Sequence, residues 1–225
     1  MKGVWIAGTD TGIGKTHIAA NLLAYIRTFI DAIPMKPVQT GSENNRAPDL
    51  DCCLRHAHLE PTDNEYSLMC PYLYKKACSP HLAASIENHE IAIDHITACA
   101  HTLWKNHDFL IIEGAGGLLV PINTHQTMLD LMKAIPLPVI LVARGGLGTI
   151  NHTLLSIKAL QTAKLPIAGV ILNDALPQED DCIRQDNPSA ISLFGNVNII
   201  GNVHFGVPPS GETYERIWHA ISNAS

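Results

Sequence analysis

The chain has 225 residues, of which 46% are hydrophobic and 16% are charged, and its formal net charge is −6 at pH 7. The charged share lies below the ~25% of typical soluble domains, so this composition excludes a disordered chain, and the negative charge argues against a protein that coats nucleic acid. No linker-like segment divides the sequence, so we expect one domain over residues 1–225. No apolar run approaches the ~18 residues of a membrane span, and the cysteines form no C-x-x-C pair, so we expect reduced thiols and a cytoplasmic location.

Short apolar runs alternate with amphipathic helical patterns along the chain. The first half of the chain is predicted to contain a strand at Val4–Ala7, a helix at Lys15–Phe29, a strand at Ile33–Val38, a helix at Ile91–Trp104 and a strand at Asp108–Glu113. The second half is predicted to contain a strand at Val139–Ala143, a helix at Ile150–Ala163, a strand at Ile167–Leu172, a strand at Ile199–Gly201 and a helix at Tyr214–Ser222. Strands that are apolar throughout and alternate with helices predict an α/β fold with a mostly parallel central sheet and helices on both faces. The polar stretch Gln178–Pro188 is interpreted as a surface loop, and Glu43–Tyr74 as an irregular insertion or part of a site.

A glycine-rich turn, Gly8–Thr16, joins the first predicted strand to the first predicted helix. Glycines allow backbone N–H groups to point inward, Lys15 can reach the β- and γ-phosphates, and the hydroxyl of Thr16 can hold Mg²⁺. The N-terminus of the helix adds the positive end of its dipole. The segment from Gly8 to Gly14 is one residue longer than in the common G-x₄-G-K-[ST] motif. The turn therefore predicts a P-loop NTPase-like fold.

Two more segments place charged groups where strands are predicted to end. Glu113 closes a buried strand and precedes Gly114-Ala115-Gly116-Gly117, and open α/β sheets bind ligands at the carboxyl ends of their strands. Beside a P-loop, this residue is interpreted as the carboxylate on the Mg²⁺ side of a nucleotide site. Lys36, in Lys36–Gly41, can hold an anion opposite the P-loop. Asp49 and Asp51 offer a further carboxylate.

Two shorter signals follow further along the chain. Ser79-Pro80-His81 is typical of a helix start, with proline in the first turn. Asn173-Asp174 closes a predicted strand. The sequence is compatible with two interpretations of this pair: an amide that recognises a nucleobase, or a plain turn.

Together these segments resemble the dethiobiotin synthetase family of biotin biosynthesis. The resemblance rests on GTDTGIGKT, KPVQTG, SPH, EGAGG, LGTINH (Leu147–His152) and Asn173-Asp174, in the order and at the approximate spacing of the family, and it extends over nearly the whole chain. The long spacing from Gly8 to Gly14 is itself a family trait. The resemblance implies a homodimer that uses ATP and Mg²⁺ to join CO₂ to 7,8-diaminononanoate and to close a ureido ring, which gives dethiobiotin, ADP and phosphate. It implies small-molecule substrates only, with no nucleic-acid or membrane partner.

The resemblance also implies roles for individual residues. Lys36 and Lys15 are implied to be catalytic, and Thr40 to contact the substrate. The implied Mg²⁺ ligands are Thr16, Glu113 and Asp51; Asp51 is preferred because it precedes a short helical stretch, and Asp49 stays open. The implied nucleotide contacts are Thr11, Gly12, Ile13, Gly14, Lys15, Thr16, Asp51, Glu113, Gly114, Ala115, Gly116, Asn173, Asp174, Val203 and His204. The substrate tail is expected to reach the partner subunit near Gly145, Leu147, Gly148 and Asn151.

The sequence departs from the family pattern at one position, and three other classes of protein share some of its features. Val203-His204 stands where the family usually has Ile-Pro near the base, so base selectivity is left open. An ATPase of the partitioning or cell-division type is one alternative, although no lysine occurs from Gly3 to Gly14, where that class carries an extra one. An amide-forming ligase of the cobyrinate type is the second, although such chains are generally longer. A nucleotide-binding module without chemistry is the third, and the presence of Lys36 and Glu113 argues against it.

Overall fold

The computed structural model describes residues 2–174, 181–207 and 209–224. Its strands are β1 (Gly3–Gly8), β2 (Ala32–Met35), β3 (Val38–Thr40), β4 (Tyr72–Tyr74), β5 (Phe109–Glu113), β6 (Val139–Arg144), β7 (Ile167–Asn173) and β8 (Ile199–Val203). Its helices are α1 (Lys15–Ile26), α2 (Pro48–His56), α3 (Asp63–Met69), α4 (Pro80–Ile86), α5 (Ile93–Asn106), α6 (Met128–Ala134), α7 (Thr149–Thr162), α8 (Asp181–Gly195) and α9 (Gly211–Ala224). None of the helices in these ranges is long and apolar enough to cross a lipid bilayer.

Six strands form a parallel sheet in the order β2-β5-β1-β6-β7-β8, and β3 pairs with β4 in a second, two-stranded parallel sheet. Side chains alternate between the two faces of the main sheet, so neighbouring residues of β1 enter different cores. Trp5 packs with residues of α5, α6 and α7 on one face, and Ile6 packs with residues of α1 and α9 on the other. The predicted mostly parallel α/β fold is confirmed.

The structure adds α6, for which no helix was predicted, and differs from the predicted elements in three further segments. The strand expected over Ile33–Val38 is two strands, because Pro37 has no N–H for a sheet ladder and the N–H of Lys36 bonds instead to the carbonyl of Met69. The Glu43–Tyr74 segment contains α2, α3 and β4. The loop interpretation of Gln178–Pro188 is wrong from Asp181 onward, where α8 begins; residues 178–180 lie outside the described residues. The polar Asn187 occupies a buried position of α8, four residues before the buried Ile191. Because a polar residue stands at this buried position, the apolar periodicity of the helix is not visible in the sequence.

Candidate active site

The carboxyl ends of three adjacent strands meet at one edge of the sheet, where open α/β sheets bind ligands. β1 runs into Gly8–Thr16, here called the phosphate loop. β5 ends at Glu113, and Lys36 directly follows β2. Because β5 lies between β1 and β2, these groups converge on one cleft of about 770 Å³. Besides Lys36 and Glu113, the cleft is lined by Thr11, Gly12, Gly14, Lys15, Thr16, Val38, Gln39, Thr40, Asp49, Ala77, Cys78, Ser79, Pro80, Ala115, Gly116 and Val120.

The phosphate loop is held from beneath by β7. Gly14, the residue that caps α1, has a φ of 92°, which a residue with a Cβ adopts only with strain. A Cβ there would also overlap the side-chain amide of Asn173. That amide is buried and donates to the carbonyl of Ile13 at 2.8 Å. The backbone of the loop is therefore fixed by contacts with the sheet.

Lys15 is buried at the inner side of the loop. Its Nζ donates to the backbone carbonyl of Asp10 at 2.7 Å. Burial, and then the positive charge of Lys36, lower the pKa of Lys15 to about 8. The lysine is therefore mostly charged at neutral pH and sensitive to mildly basic conditions.

Lys36 lies between two carboxylates on the opposite side of the cleft. Its Nζ is 2.6 Å from Oε1 of Glu113 and 2.7 Å from Oδ2 of Asp49. Burial alone would lower the pKa of Lys36, but the two carboxylates outweigh it and raise the pKa well above its usual range. Lys36 is consequently a fixed cation rather than a base.

The oxygen atoms around Thr16 fit a magnesium ion. The hydroxyl of Thr16 donates to Oε1 of Glu113 at 2.9 Å, and its nearby dipole helps to lower the pKa of Asp49. Oε2 of Glu113 is buried and has no hydrogen-bond partner. Mg²⁺ prefers oxygen ligands and is usually held by one or two carboxylates together with phosphates and water. Within the described ranges, no group of three or more His, Cys, Asp or Glu side chains forms a metal site by itself.

The geometry of α2 places Asp49, and not Asp51, at the cleft. Oδ1 of Asp51 accepts from Arg46 at 2.8 Å and from the hydroxyl of Tyr66 at 2.9 Å, and its Oδ2 accepts from Arg46 at 3.2 Å. Two residues apart on a helix are separated by about 200°. Asp49 therefore faces the cleft, and Asp51 faces Arg46 and Tyr66 on the other side of α2. Burial alone would raise the pKa of Asp49, but the positive charge of Lys36 outweighs burial and keeps this pKa below its usual value. Asp49 is therefore negatively charged at neutral pH.

Asn173, Asp174, Val203 and His204 come together at the carboxyl ends of β7 and β8. The buried carboxylate of Asp174 accepts from Arg184 at 2.8 Å and lies 3.4 Å from the ring of His204, which also contacts Arg184. The N–H of Asp174 bonds to the carbonyl of Val203. Arg184 was missed by sequence reasoning because it falls in the segment interpreted as a loop.

The predicted substrate residues divide into two groups. Thr40 lines the cleft. Gly145, Leu147, Gly148 and Asn151 do not line it; Leu147 is 84% exposed, and Gly148 caps α7 with a φ of 87°. This segment is held from α8, because the buried amide of Asn187 donates to the carbonyls of Gly145 at 2.6 Å and Gly146 at 3.3 Å. Asn187 was not predicted, and its isolated polar signal in a polar stretch could not have revealed it.

The fold and the site define the chain as a P-loop protein. A family model described as "AAA domain" matches residues 2–206. The MinD cell division protein of Aquifex aeolicus is similar with a TM-score of 0.62 at 14% identity, covering 99% of this chain and 97% of that one. A ParA family ATPase from Chlorobium tepidum TLS has a TM-score of 0.54 at 15% identity, with coverage of 98% and 90%. At such low identity these likenesses show the fold alone.

Curated relatives are more similar in sequence. The ATP-dependent dethiobiotin synthetase BioD of Anaeromyxobacter dehalogenans (strain 2CP-C) is 40% identical over 186 residues, 81% of each chain. The protein of the same name from Anoxybacillus flavithermus (strain DSM 21510 / WK1) is 38% identical over 212 residues, 90% of this chain and 91% of that one. The chain belongs to the ATP-dependent dethiobiotin synthetase family, which confirms the resemblance found in the sequence.

Proposed function

We propose that the chain catalyses the ATP-dependent conversion of 7,8-diaminononanoate and CO₂ into dethiobiotin, ADP and phosphate. The name shared by its relatives supports this reaction. The observation that carries it is the buried Lys36 ammonium, held by Glu113 and Asp49 opposite the phosphate loop. A module that only binds a nucleotide has no need for a second buried cation on that side of the cleft.

The chemistry requires two anions to approach each other. A carbamate oxygen on the first amine attacks the γ-phosphorus of ATP, and ADP leaves. Lys15 supplies positive charge from the loop and Lys36 from the opposite wall, so both are already in place for the charge of the transferring phosphoryl group. Because the raised pKa of Lys36 keeps it protonated, it acts by charge and position rather than by proton transfer.

Ring closure follows when the second amine attacks the carbonyl carbon of the carbamic–phosphoric anhydride and phosphate leaves. Both groups belong to one molecule, which gives a high effective concentration when the chain is correctly oriented. The wall formed by Val38, Thr40, Ser79 and Pro80 supports binding of a diamine with an aliphatic chain, and the hydroxyl of Thr40 is assigned as a substrate contact. A bound diamine that covers this wall would keep water away from the anhydride.

The metal and the phosphates are assigned to the same cleft, and the base is assigned to the carboxyl ends of β7 and β8. When bound, Mg²⁺ neutralises charge on the β- and γ-phosphates. Thr16, Glu113 and Asp49 would hold the ion, with Asp49 in place of Asp51. The phosphates contact residues 11–16 and the loop 114–116, and the base contacts Asn173, Asp174, Val203 and His204.

The reaction is tested by the release of phosphate from ATP. We expect release to require diaminononanoate, bicarbonate and Mg²⁺ together, and Lys36→Met to reduce turnover by at least a hundredfold while the affinity for ATP changes less than fivefold. Lys133→Met is the matched control, since Lys133 forms an exposed pair with Asp130 on α6. Release that ignores the diamine would contradict the proposal, and equal losses of affinity and turnover would make Lys36 a binding residue.

We also propose a homodimer that shares the substrate site. Leu119, Leu147 and Leu155 are 65%, 84% and 62% exposed, and Leu119 and Leu155 flank a groove beside the phosphate loop. Such exposed leucines support an interface, through which Gly145–Asn151 of one copy reaches the cleft of the other. In sedimentation we expect twice the chain mass, and Leu155→Asp should give monomers with a higher KM for the diamine. A fully active wild-type monomer would refute the shared site.

Residues 1–225 are proposed to form one domain in the cytoplasm. Both cores share the main sheet, which supports a single folding unit. The thiols of Cys52, Cys53, Cys70, Cys78 and Cys99 are free, as in proteins of a reducing compartment. Cell fractionation tests the location, and a second unfolding transition would contradict a single domain.

A further inference from the structure

An aspartate carries negative charge into the phosphate loop itself. Asp10 is half-exposed at the mouth of the loop, and its Oδ1 accepts from the N–H of Thr11 at 2.7 Å. Its own backbone carbonyl accepts from Lys15. The carboxylate is therefore held on the loop that binds the phosphates under the proposed function, where an unpaired negative charge would repel them.

Arg144 is placed to cancel that charge. Its Nη2 donates to Oδ2 of Asp10 at 2.7 Å. Arg144 is the last residue of β6, and β6 pairs with β1 up to Gly8 and Val142, where the N–H of Thr9 bonds to the carbonyl of Val142. The register of the sheet thus sets the backbone of Arg144 beside the beginning of the phosphate loop.

The other neighbour of Arg144 ties it to the same loop. In β7 its register partner is Asn173, whose amide holds the carbonyl of Ile13. The guanidinium and the amide therefore support the two halves of the phosphate loop from adjacent strands. No other cation of the described residues forms an ion pair with Asp10.

We propose that Arg144 is a positioning residue for the nucleotide: it neutralises the Asp10 carboxylate and fixes the first turn of the phosphate loop. This role rests on the proposed use of ATP. It assigns Arg144 no contact with the diamine and no part in the chemical step. Removal of its charge therefore weakens binding of the triphosphate, and removal of the opposing charge of Asp10 restores it.

The test measures equilibrium binding of Mg²⁺ with a non-hydrolysable ATP analogue by calorimetry, and KM and kcat for the diamine. Arg144→Gln should weaken nucleotide binding about fivefold at 50 mM KCl, the size expected of one exposed charge, and about twofold at 500 mM KCl because salt screens the repulsion. Arg144→Lys should stay within twofold of wild type. The double variant Asp10→Asn/Arg144→Gln should return to within twofold, and Lys133→Gln should change nothing.

The rescue separates a charge effect from general damage to the loop. A double variant as weak as Arg144→Gln would overturn the proposal, as would unchanged nucleotide binding by Arg144→Gln. A higher KM for the diamine with unchanged nucleotide affinity would also overturn it, because Arg144 would then be a substrate contact. If the wild-type chain itself fails to bind the ATP analogue, the proposed function fails, and the role of Arg144 fails with it.

Discussion

Replacement of Lys36 by methionine should destabilise the fold as well as the reaction. The substitution keeps a similar length of side chain but leaves the carboxylates of Glu113 and Asp49 without their cation. Breaking a buried pair costs about 3–5 kcal/mol because a charge is left uncompensated. The Glu113 side chain is 5% exposed, whereas that of Asp49 is 32% exposed and is partly solvated. We therefore expect the lower end, about 3 kcal/mol at pH 7.5, or a decrease in Tm of about 6–12 °C for a chain of this size.

The loss should depend on pH with a definite sign. In the wild type, the lowered pKa of Asp49 contributes stability that is present above its unfolded value and lost as the pH falls through its folded value. Without Lys36, burial becomes the main influence on this carboxyl and raises its pKa. The free energy of unfolding of the variant therefore rises as the pH falls toward 5, and its difference from the free energy of unfolding of the wild type becomes smaller. Mg²⁺ should also reduce this difference in the free energy of unfolding at pH 7.5, since the metal replaces the missing positive charge.

The assay is urea unfolding of both proteins at pH 7.5 and pH 5, in EDTA and in 10 mM MgCl₂. Lys133→Met, which removes an exposed partner of Asp130, should remain within about 0.5 kcal/mol of the wild type. A loss below about 1 kcal/mol for Lys36→Met, or a loss of the same size at both pH values, would refute the reasoning about the buried charges.

Three other predictions follow from the site. Because the pKa of Lys15 is lowered to about 8, kcat/KM for ATP should fall above pH 8 as the ammonium loses its proton; a profile that is flat to pH 9.5 would contradict this. In Mg²⁺ titrations, Asp49→Asn should raise the concentration for half-maximal activity at least tenfold and Asp51→Asn less than twofold, and the opposite order would return the metal to Asp51. Asn187→Ala should lower the free energy of unfolding by about 1–2 kcal/mol, because two buried carbonyls lose their donor; urea unfolding checks this, and an unchanged midpoint would argue against it.

The parts of the site that lie at strand ends could be predicted from the sequence. Gly8–Thr16, Lys36 and Glu113 each follow a short apolar run, and parallel strands bring their carboxyl ends to one edge. The order of the strands was not predictable, and it is this order, with β5 between β1 and β2, that sets Lys36 against Glu113. Asp49 could not be separated from Asp51 until the start of α2 at Pro48 was known, because the phase of a helix decides which side chain faces the cleft.

The elements that were missed owe their structure to tertiary contacts. α8 carries the polar Asn187 at a buried position because the side chain binds the carbonyls of Gly145 and Gly146, and no local pattern reports such a partner. β3 leaves the main sheet after Pro37 and pairs with β4, more than thirty residues away along the chain. Arg144 and Arg184 likewise form ion pairs with Asp10 and Asp174, respectively, and the sequence does not show that these pairs form.

The central claim is that one cleft couples cleavage of ATP to formation of the ureido ring. Its most direct test supplies ¹³C-bicarbonate, diaminononanoate and Mg-ATP, and measures phosphate together with the mass of the organic product. The expected result is dethiobiotin with one ¹³C atom and one phosphate released for each molecule formed. Phosphate without labelled product, or product without cleavage of ATP, would contradict the account.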